Sequence, residues 1–189
     1  MKIAFVVYDN LTLLDFAGAF DPLTRLKTLG YVPDLTYDIC SRTGDVRSSE
    51  GVRFAVDRVA PDLSEYDYVI IPGGDGIQPL MKDPEFLRWI AGASERTTVA
   101  ALCGGSLLLG AAGLLKGKRA TTHPQLAGFL KHFAGEVLPD RIVDEGNIIT
   151  AGGVTAGIDL GLYLCERIAG QEARKKIAAQ MDYTGYHVC

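Results

Sequence analysis

Residues 97–115 read TTVAALCGGSLLLGAAGLL, and the order of residue types in that stretch decides the fold. Val99, Ala100, Ala101 and Leu102 make a short apolar run of β character that ends at Cys103. Two glycines follow, then leucines and alanines at helical spacing. A reactive side chain between a strand end and a helix start, flanked by residues of little bulk, is the layout of a nucleophile elbow. Gly104 and Gly105 permit a sharp turn and the close approach of other backbone. The helix start offers N–H groups and a partial positive charge beside the sulfur. Both favour thiolate over thiol, so Cys103 is expected to be a nucleophile poised towards its ionised form.

Outward from that stretch, strands and helices alternate. Lys2–Val7 is an apolar run typical of a strand buried on both faces. Leu13–Leu29 has helical spacing and stops at Gly30, with Pro22 placed to kink or split it. Asp34–Ser41 reads as a strand, and the mixed alternation of Arg42–Asp57 as a hairpin or loose edge elements. Asp67–Ile71 is a strand ended by Pro72-Gly73-Gly74. A helix opens at Asp83-Pro84 and runs through Glu95. Thr98–Leu102 leads into Cys103, and Asn147–Thr150 leads into Gly152-Gly153. Thr155 caps a helix towards Ile168, and Gly170–Met181 is the last helical segment.

The alternation predicts an α/β fold, a mainly parallel sheet sandwiched by helices. No linker, repeat or low-complexity tract interrupts it, so residues 1–189 are expected to be a single domain. In such sheets sites form outside the carboxyl ends of the strands. Asp15, Gly73-Gly74, Cys103 and Gly152-Gly153 all fall at those ends and are expected to meet in one crevice.

The net charge of −4 and the lack of a basic run leave no electrostatic footprint for nucleic acid. The apolar start of MKIAFVVYDN turns polar too soon for a signal peptide or membrane span, which predicts a cytoplasmic protein with no membrane partner. Four cysteines without a C-x-x-C pair, and three histidines, argue against a structural metal or a disulfide framework. Cys40 and Cys165 read as core, and Cys189 as an exposed terminal residue.

Asp15 stands between Leu14 and Phe16 in an apolar helix start. It is either a helix cap or a carboxyl held near Cys103, where partial burial would raise its proton affinity into a useful range. His123, after Ala120-Thr121-Thr122 and before Pro124, is an auxiliary candidate: a base for the thiol, or a helix-entry histidine bonded to backbone. Gly74, after a buried strand, could present an N–H to developing negative charge. His132 and Asp182 read as surface residues. Leu13, Phe16 and Ile77 are candidates for shaping an apolar pocket.

These pieces resemble the ThiJ/PfpI superfamily, with its flavodoxin-like, class I glutamine-amidotransferase-like fold. The match rests on KIAFVVYDNLTLLDFAGAFDPL (2–23), YDYVIIPGG (66–74), ALCGGSLLLGAAGLLKGKRATTHP (101–124) and ITAGGVTAGIDLGLYL (149–164). Within it the chain is similar to the isocyanide hydratase branch and to the amidotransferase-like domain of certain AraC-type regulators. The resemblance implies a lyase that converts a small-molecule isocyanide to an N-substituted formamide, without a metal or organic cofactor, in a homodimer. It makes Cys103 the nucleophile and Asp15 its carboxyl partner, with Gly74 and Gly104 bordering the anion-stabilising side. Two departures stand out. Gly104 replaces the threonine common after the hydratase nucleophile, and Pro124 replaces an aromatic residue. The THP form is closer to glyoxalase/deglycase enzymes, whose partner carboxylate is usually glutamate, one methylene longer than Asp15. Glyoxalase-like action on methylglyoxal-type aldehydes with His123 as base, and a non-enzymatic redox or ligand sensor, are the alternatives. The chain ends at Cys189, which is expected to leave no room for a helix-turn-helix domain. A late His-x-Glu pair for amidotransfer and a histidine directly after the cysteine for PfpI-type proteolysis are both absent from the sequence.

Overall fold

The computed structural model describes residues 1–93 and 96–185. β1 (Lys2–Val6) is buried from Ile3 onward, as a strand covered on both faces requires. α1 (Leu13–Thr28) follows, then β2 (Thr36–Ser41) and an antiparallel hairpin of β3 (Asp45–Arg47) and β4 (Arg53–Ala55). Next come β5 (Arg58–Val59), β6 (Tyr68–Ile71), α2 (Ile77–Leu80), α3 (Pro84–Ala91), β7 (Thr98–Leu102) and α4 (Gly105–Ala111). The short pieces β8 (Arg119–Ala120), α5 (Ala127–Leu130) and β9 (Glu136–Val137) precede β10 (Ile142–Asp144), β11 (Ile148–Ala151), α6 (Ala156–Ala169) and α7 (Gln171–Gln180).

The main sheet has the order β10-β11-β7-β6-β1-β2-β5, and all its neighbours are parallel except β10 on β11. From β1 the chain steps to β2 on one side and later to β6, β7 and β11 on the other. The order therefore reverses between β1 and β6, the point where open α/β sheets form their ligand crevice. α1, α6 and α7 pack together as one helix layer, and α2, α3 and α4 as the other.

α1 continues unbroken through Pro22. The expected kink is offset by α6. A Cβ on Gly161 would lie 2.9 Å from Pro22 Cγ, and the Cys165 thiol donates to the Pro22 carbonyl at 3.3 Å. The same two helices meet backbone to backbone at Gly18, where a Cβ would lie 3.0 Å from the Ile158 nitrogen. α3 ends at Ala91, short of the expected end at Glu95, which lies outside the described residues. Its start is as expected, with Asp83 accepting the Glu85 and Phe86 N–H groups at 2.9 and 3.1 Å. Thr155 stands at the α6 N-cap without a side-chain cap bond; its hydroxyl accepts from Arg141 instead. The uncertain Arg42–Asp57 stretch becomes the β3–β4 hairpin, whose Phe54 packs edge-on to Phe16 at 4.9 Å.

Candidate active site

Cys103 follows directly on β7 and has φ = +53°. That left-handed conformation is costly for a residue with a Cβ and persists only where its surroundings enforce it. Here the Cys103 N–H donates to the Ala151 and Gly152 carbonyls at 3.1 and 2.9 Å, and the Cys103 carbonyl accepts the Thr122 hydroxyl at 2.6 Å. Bulk is excluded around the turn. A Cβ on Gly73 would lie 2.5 Å from the Gly104 nitrogen and 2.8 Å from Cys103 Cβ, and one on Gly105 would lie 2.6 Å from the Ile71 carbonyl oxygen. The strand–turn–helix elbow expected from residues 97–115 is thus formed.

Asp15, the third residue of α1, is fully buried. Its Oδ2 accepts the Gly73 N–H at 2.8 Å, and the Gly73 carbonyl accepts the Thr12 N–H at 3.0 Å, so the end of β6 and the start of α1 are laced together. The carboxyl also faces the Cys103 thiol as a hydrogen-bonding neighbour. Among the described residues its Oδ1 has no further partner. Burial pushes the Asp15 carboxyl up to about 7, against the Gly73 N–H and the thiol, which favour the charged form. The helix-cap reading of Asp15 fails: its bond is to another element, and the α1 N-cap, Thr12, makes no side-chain cap bond.

The expectation of a poised thiolate is corrected. Burial first, and then the Asp15 charge, push the Cys103 thiol up to about 11. The N–H groups of Gly104 and Val154 bond the sulfur and pull the other way, but one helix start of a seven-residue α4 does not outweigh a buried carboxylate. Cys103 and Asp15 are two neighbouring buried acids, of which the carboxyl gives up its proton well before the thiol does.

Cys103, Gly74 and Gly104 open onto a cleft of about 780 Å³. Ile77, Met81, Leu107, Leu126, Phe129 and Phe133 give it an apolar wall, with Thr12, Asp75, Gln78, Gln125 and His132 among its polar lining, and among the described residues no lysine or arginine lines it. Asp15 is not on the cleft surface and meets it through Cys103. Of the expected pocket-shaping residues only Ile77 lines the cleft. Phe16 instead stacks on Phe20, 5.0 Å away, in an aromatic cluster, and Leu13 lies off the cleft.

His123 lines the cleft, but its Nδ1 accepts the Gln125 N–H at 3.2 Å and its ring lies over Gly153, where a Cβ would be 2.1 Å from its Cδ2. The backbone-capping reading of His123 is therefore the one the geometry fits, and Asp15 is the carboxyl that neighbours the thiol. His132 and Asp182 are exposed, and Asp182 does not reach the cleft. Cys40 and Cys165 are fully buried core; Cys189 lies outside the described residues. Among the described residues no cluster of three or more His, Cys, Asp or Glu side chains is placed to hold a metal.

Three contributors escaped the sequence reading. Thr122 was in view only as a neighbour of His123. Tyr8, whose buried hydroxyl donates to the Pro72 carbonyl at 2.5 Å and props up the Gly73 turn, was not singled out. The Val154 N–H left no signal at all, because any residue type can donate from its backbone.

Comparison with known proteins agrees with this geometry. The family model described as the DJ-1/PfpI family matches residues 1–167. Isonitrile hydratase of Pseudomonas putida is 35% identical over 185 residues, which span 97% of this chain and 78% of that one. The HTH-type transcriptional regulator GbdR of Pseudomonas aeruginosa is 30% identical over 96% of this chain, which spans half of the regulator's length. The crystal structure of a ThiJ/PfpI family protein from Pseudomonas syringae superposes with a TM-score of 0.84 at 30% identity, covering 97% of this chain and 75% of that one. Among the described residues no helix is long and apolar enough to cross a membrane.

Proposed function

We propose that this chain, which belongs to the DJ-1/PfpI family, is a cysteine-dependent lyase that hydrates isocyanides to N-substituted formamides. The observation that carries the reading is the fully buried Asp15 carboxyl against the Cys103 thiol, at the base of an apolar cleft. The terminal carbon of an isocyanide must receive both a nucleophile and a proton. The thiol–carboxyl pair offers both from adjacent atoms. As the Cys103 sulfur bonds that carbon, its proton passes to Asp15 and on to the same carbon, giving a thioimidate, R–N=CH–S. Water then adds across the C=N bond. The tetrahedral adduct collapses to R–NH–CHO and returns the thiol. The Gly104 and Val154 N–H groups stabilise sulfur charge as it appears, and Gly74 borders the same side. Gly104 in place of threonine leaves room that the Ile77 δ-methyl fills, since a Cβ there would lie 2.6 Å from it. No metal or organic cofactor enters this scheme.

The protein works, in this reading, as one domain over residues 1–189 and as a homodimer. Leu14 and Val52, both about two-fifths exposed beside the junction of α1 and the hairpin, support an apolar contact with a second copy. The three buried free thiols among the described residues suit a reducing cytoplasm, and the net charge of −4 offers nucleic acid nothing.

The test is turnover of a simple alkyl or aryl isocyanide by the wild type, Cys103→Ala and Asp15→Asn. Loss of product with Cys103→Ala and a fall in kcat of about 10²–10⁴-fold with Asp15→Asn are expected. Undiminished turnover by Asp15→Asn overturns the reading. So does absence of formamide from wild type with reduced Cys103, and that result moves the assignment to glyoxal chemistry or sensing.

A further inference from the structure

The loop from Gly152 to Thr155, between β11 and α6, serves Cys103 twice. The Gly152 carbonyl accepts the Cys103 N–H at 2.9 Å, and Val154 borders the same cleft as Cys103, where its N–H favours the charged form of the sulfur. Val154 does so at φ = +26°, a conformation strained for any L-residue and more so for a β-branched one. Such a loop keeps its shape only if something grips it on both sides of the strain.

We propose that Arg141 is that grip: a positioning residue that clamps the Gly152–Thr155 loop so that the Val154 N–H faces the Cys103 sulfur. On the near side of Val154, the Arg141 carbonyl accepts the Gly152 N–H at 3.0 Å. On the far side, Arg141 Nη2 donates to Thr155 Oγ1 at 3.0 Å. The guanidinium is itself anchored, because its Nε pairs with Oδ2 of Asp159, a fully buried carboxylate on α6. The other Asp159 oxygen accepts the Tyr183 hydroxyl at 3.0 Å. One planar fork thus serves a hydroxyl and a carboxylate at a fixed angle, which a lysine ammonium on a flexible stem does not reproduce. Arg141 does not line the cleft that Cys103 opens onto, so its effect on the sulfur is exerted through the loop.

The test is the rate at which iodoacetamide alkylates Cys103, followed by peptide mass across a pH series. The variants are Thr155→Val, Arg141→Lys, Arg141→Met and the pair Arg141→Met/Asp159→Asn. The charged or titratable groups that face the sulfur or its cleft (Asp15 on α1, Tyr8 after β1, and Asp75, His123 and His132 on the cleft wall) are the same in all of them. Arg141→Met strands the buried Asp159 carboxylate; the paired variant removes the guanidinium's hold without doing so, Thr155→Val removes its bond to the loop while leaving the Asp159 pair, and the main-chain bond from the Gly152 N–H to residue 141 persists in every variant. Release of the Val154 N–H is expected to shift the thiol titration upward and to slow alkylation by about 2–10-fold at a fixed pH below the thiol titration, the worth of one hydrogen bond. Thr155→Val should show a smaller shift and Arg141→Lys a partial recovery. A folded paired variant with the wild-type pH profile overturns the proposal, and so does a Thr155→Val variant with that profile should the pair fail to fold. The companion readout, a lower kcat at unchanged KM, rests on the hydratase reading; alkylation does not. Slowed alkylation without any isocyanide turnover by wild type therefore overturns the hydratase and leaves the clamp standing.

Discussion

The Gly73–Gly74 pair after β6 and the Gly152–Gly153 pair after β11 flank the Cys103 strand and look interchangeable in the sequence. In the structure they differ in what a side chain would strike. At Gly73 and Gly74 a Cβ would meet backbone: the Gly104 nitrogen at 2.5 Å in one case, the Asn10 oxygen and Thr12 nitrogen at 2.5 Å in the other, and Gly74 has φ = +121°. At Gly153 it would meet the His123 ring, and at Gly152 nothing nearer than 3.8 Å. The first pair is fixed by main chain that cannot yield. The second is soft, and the strain in its loop has moved on to Val154. A glycine pair at a strand end therefore says that something comes close, and only its neighbours say how strictly.

The largest expected effect that tests this contrast is that of Gly73→Ala. Its Cβ displaces Cys103 itself, so a stability loss of about 1–3 kcal/mol should accompany, under the proposed chemistry, a fall in turnover of about 100-fold or more. Chemical denaturation and steady-state kinetics measure the two. A variant that keeps wild-type turnover would show the elbow to be as soft as its counterpart.

Asp15→Asn sharpens the contrast from the acid that Gly73 serves. The carboxyl holds its proton to about pH 7 in the folded protein and to about 3.9 in an unfolded chain. Below pH 4 both states are protonated and nothing is lost. Between pH 4 and 7 only the unfolded chain releases the proton, so this group's contribution falls steadily and stays low above 7. The melting-temperature gain of Asp15→Asn should thus be absent at pH 4, grow to pH 7 and level off. A gain independent of pH would contradict the burial of an ionisable acid there.

The smallest effects belong to the other loop. In Gly153→Ala the His123 ring can swing aside, at about 1 kcal/mol or less, and Gly152→Ala should stay within about 0.5 kcal/mol, as at an unremarkable site. Thermal melts of the two beside Gly73→Ala would reverse the comparison if the order came out inverted.

The sequence was most readable where one segment decides its own conformation. β7 ends where its apolar run does, and the elbow, the Asp83 cap and the meeting of Asp15 with Gly73 and Cys103 follow from residue types at strand ends. It was least readable where the outcome is a balance across the fold. The proton affinity of Cys103 turns on a carboxylate 88 positions earlier and on burial, and a helix start read in isolation points the wrong way. Pro22 fails to break α1 because Gly161, far along the chain, makes room for its ring. Leu13 and Phe16 were assigned to the pocket because spacing alone does not tell which side of α1 faces the cleft.

Asp15 is fully buried beside Cys103, which lines the cleft where Asp15 does not. Under the proposed chemistry the hydrogen that this pair delivers was taken up before the substrate arrived. The formyl hydrogen of each product would then record the isotope of the solvent the resting enzyme last met, a memory one turnover deep.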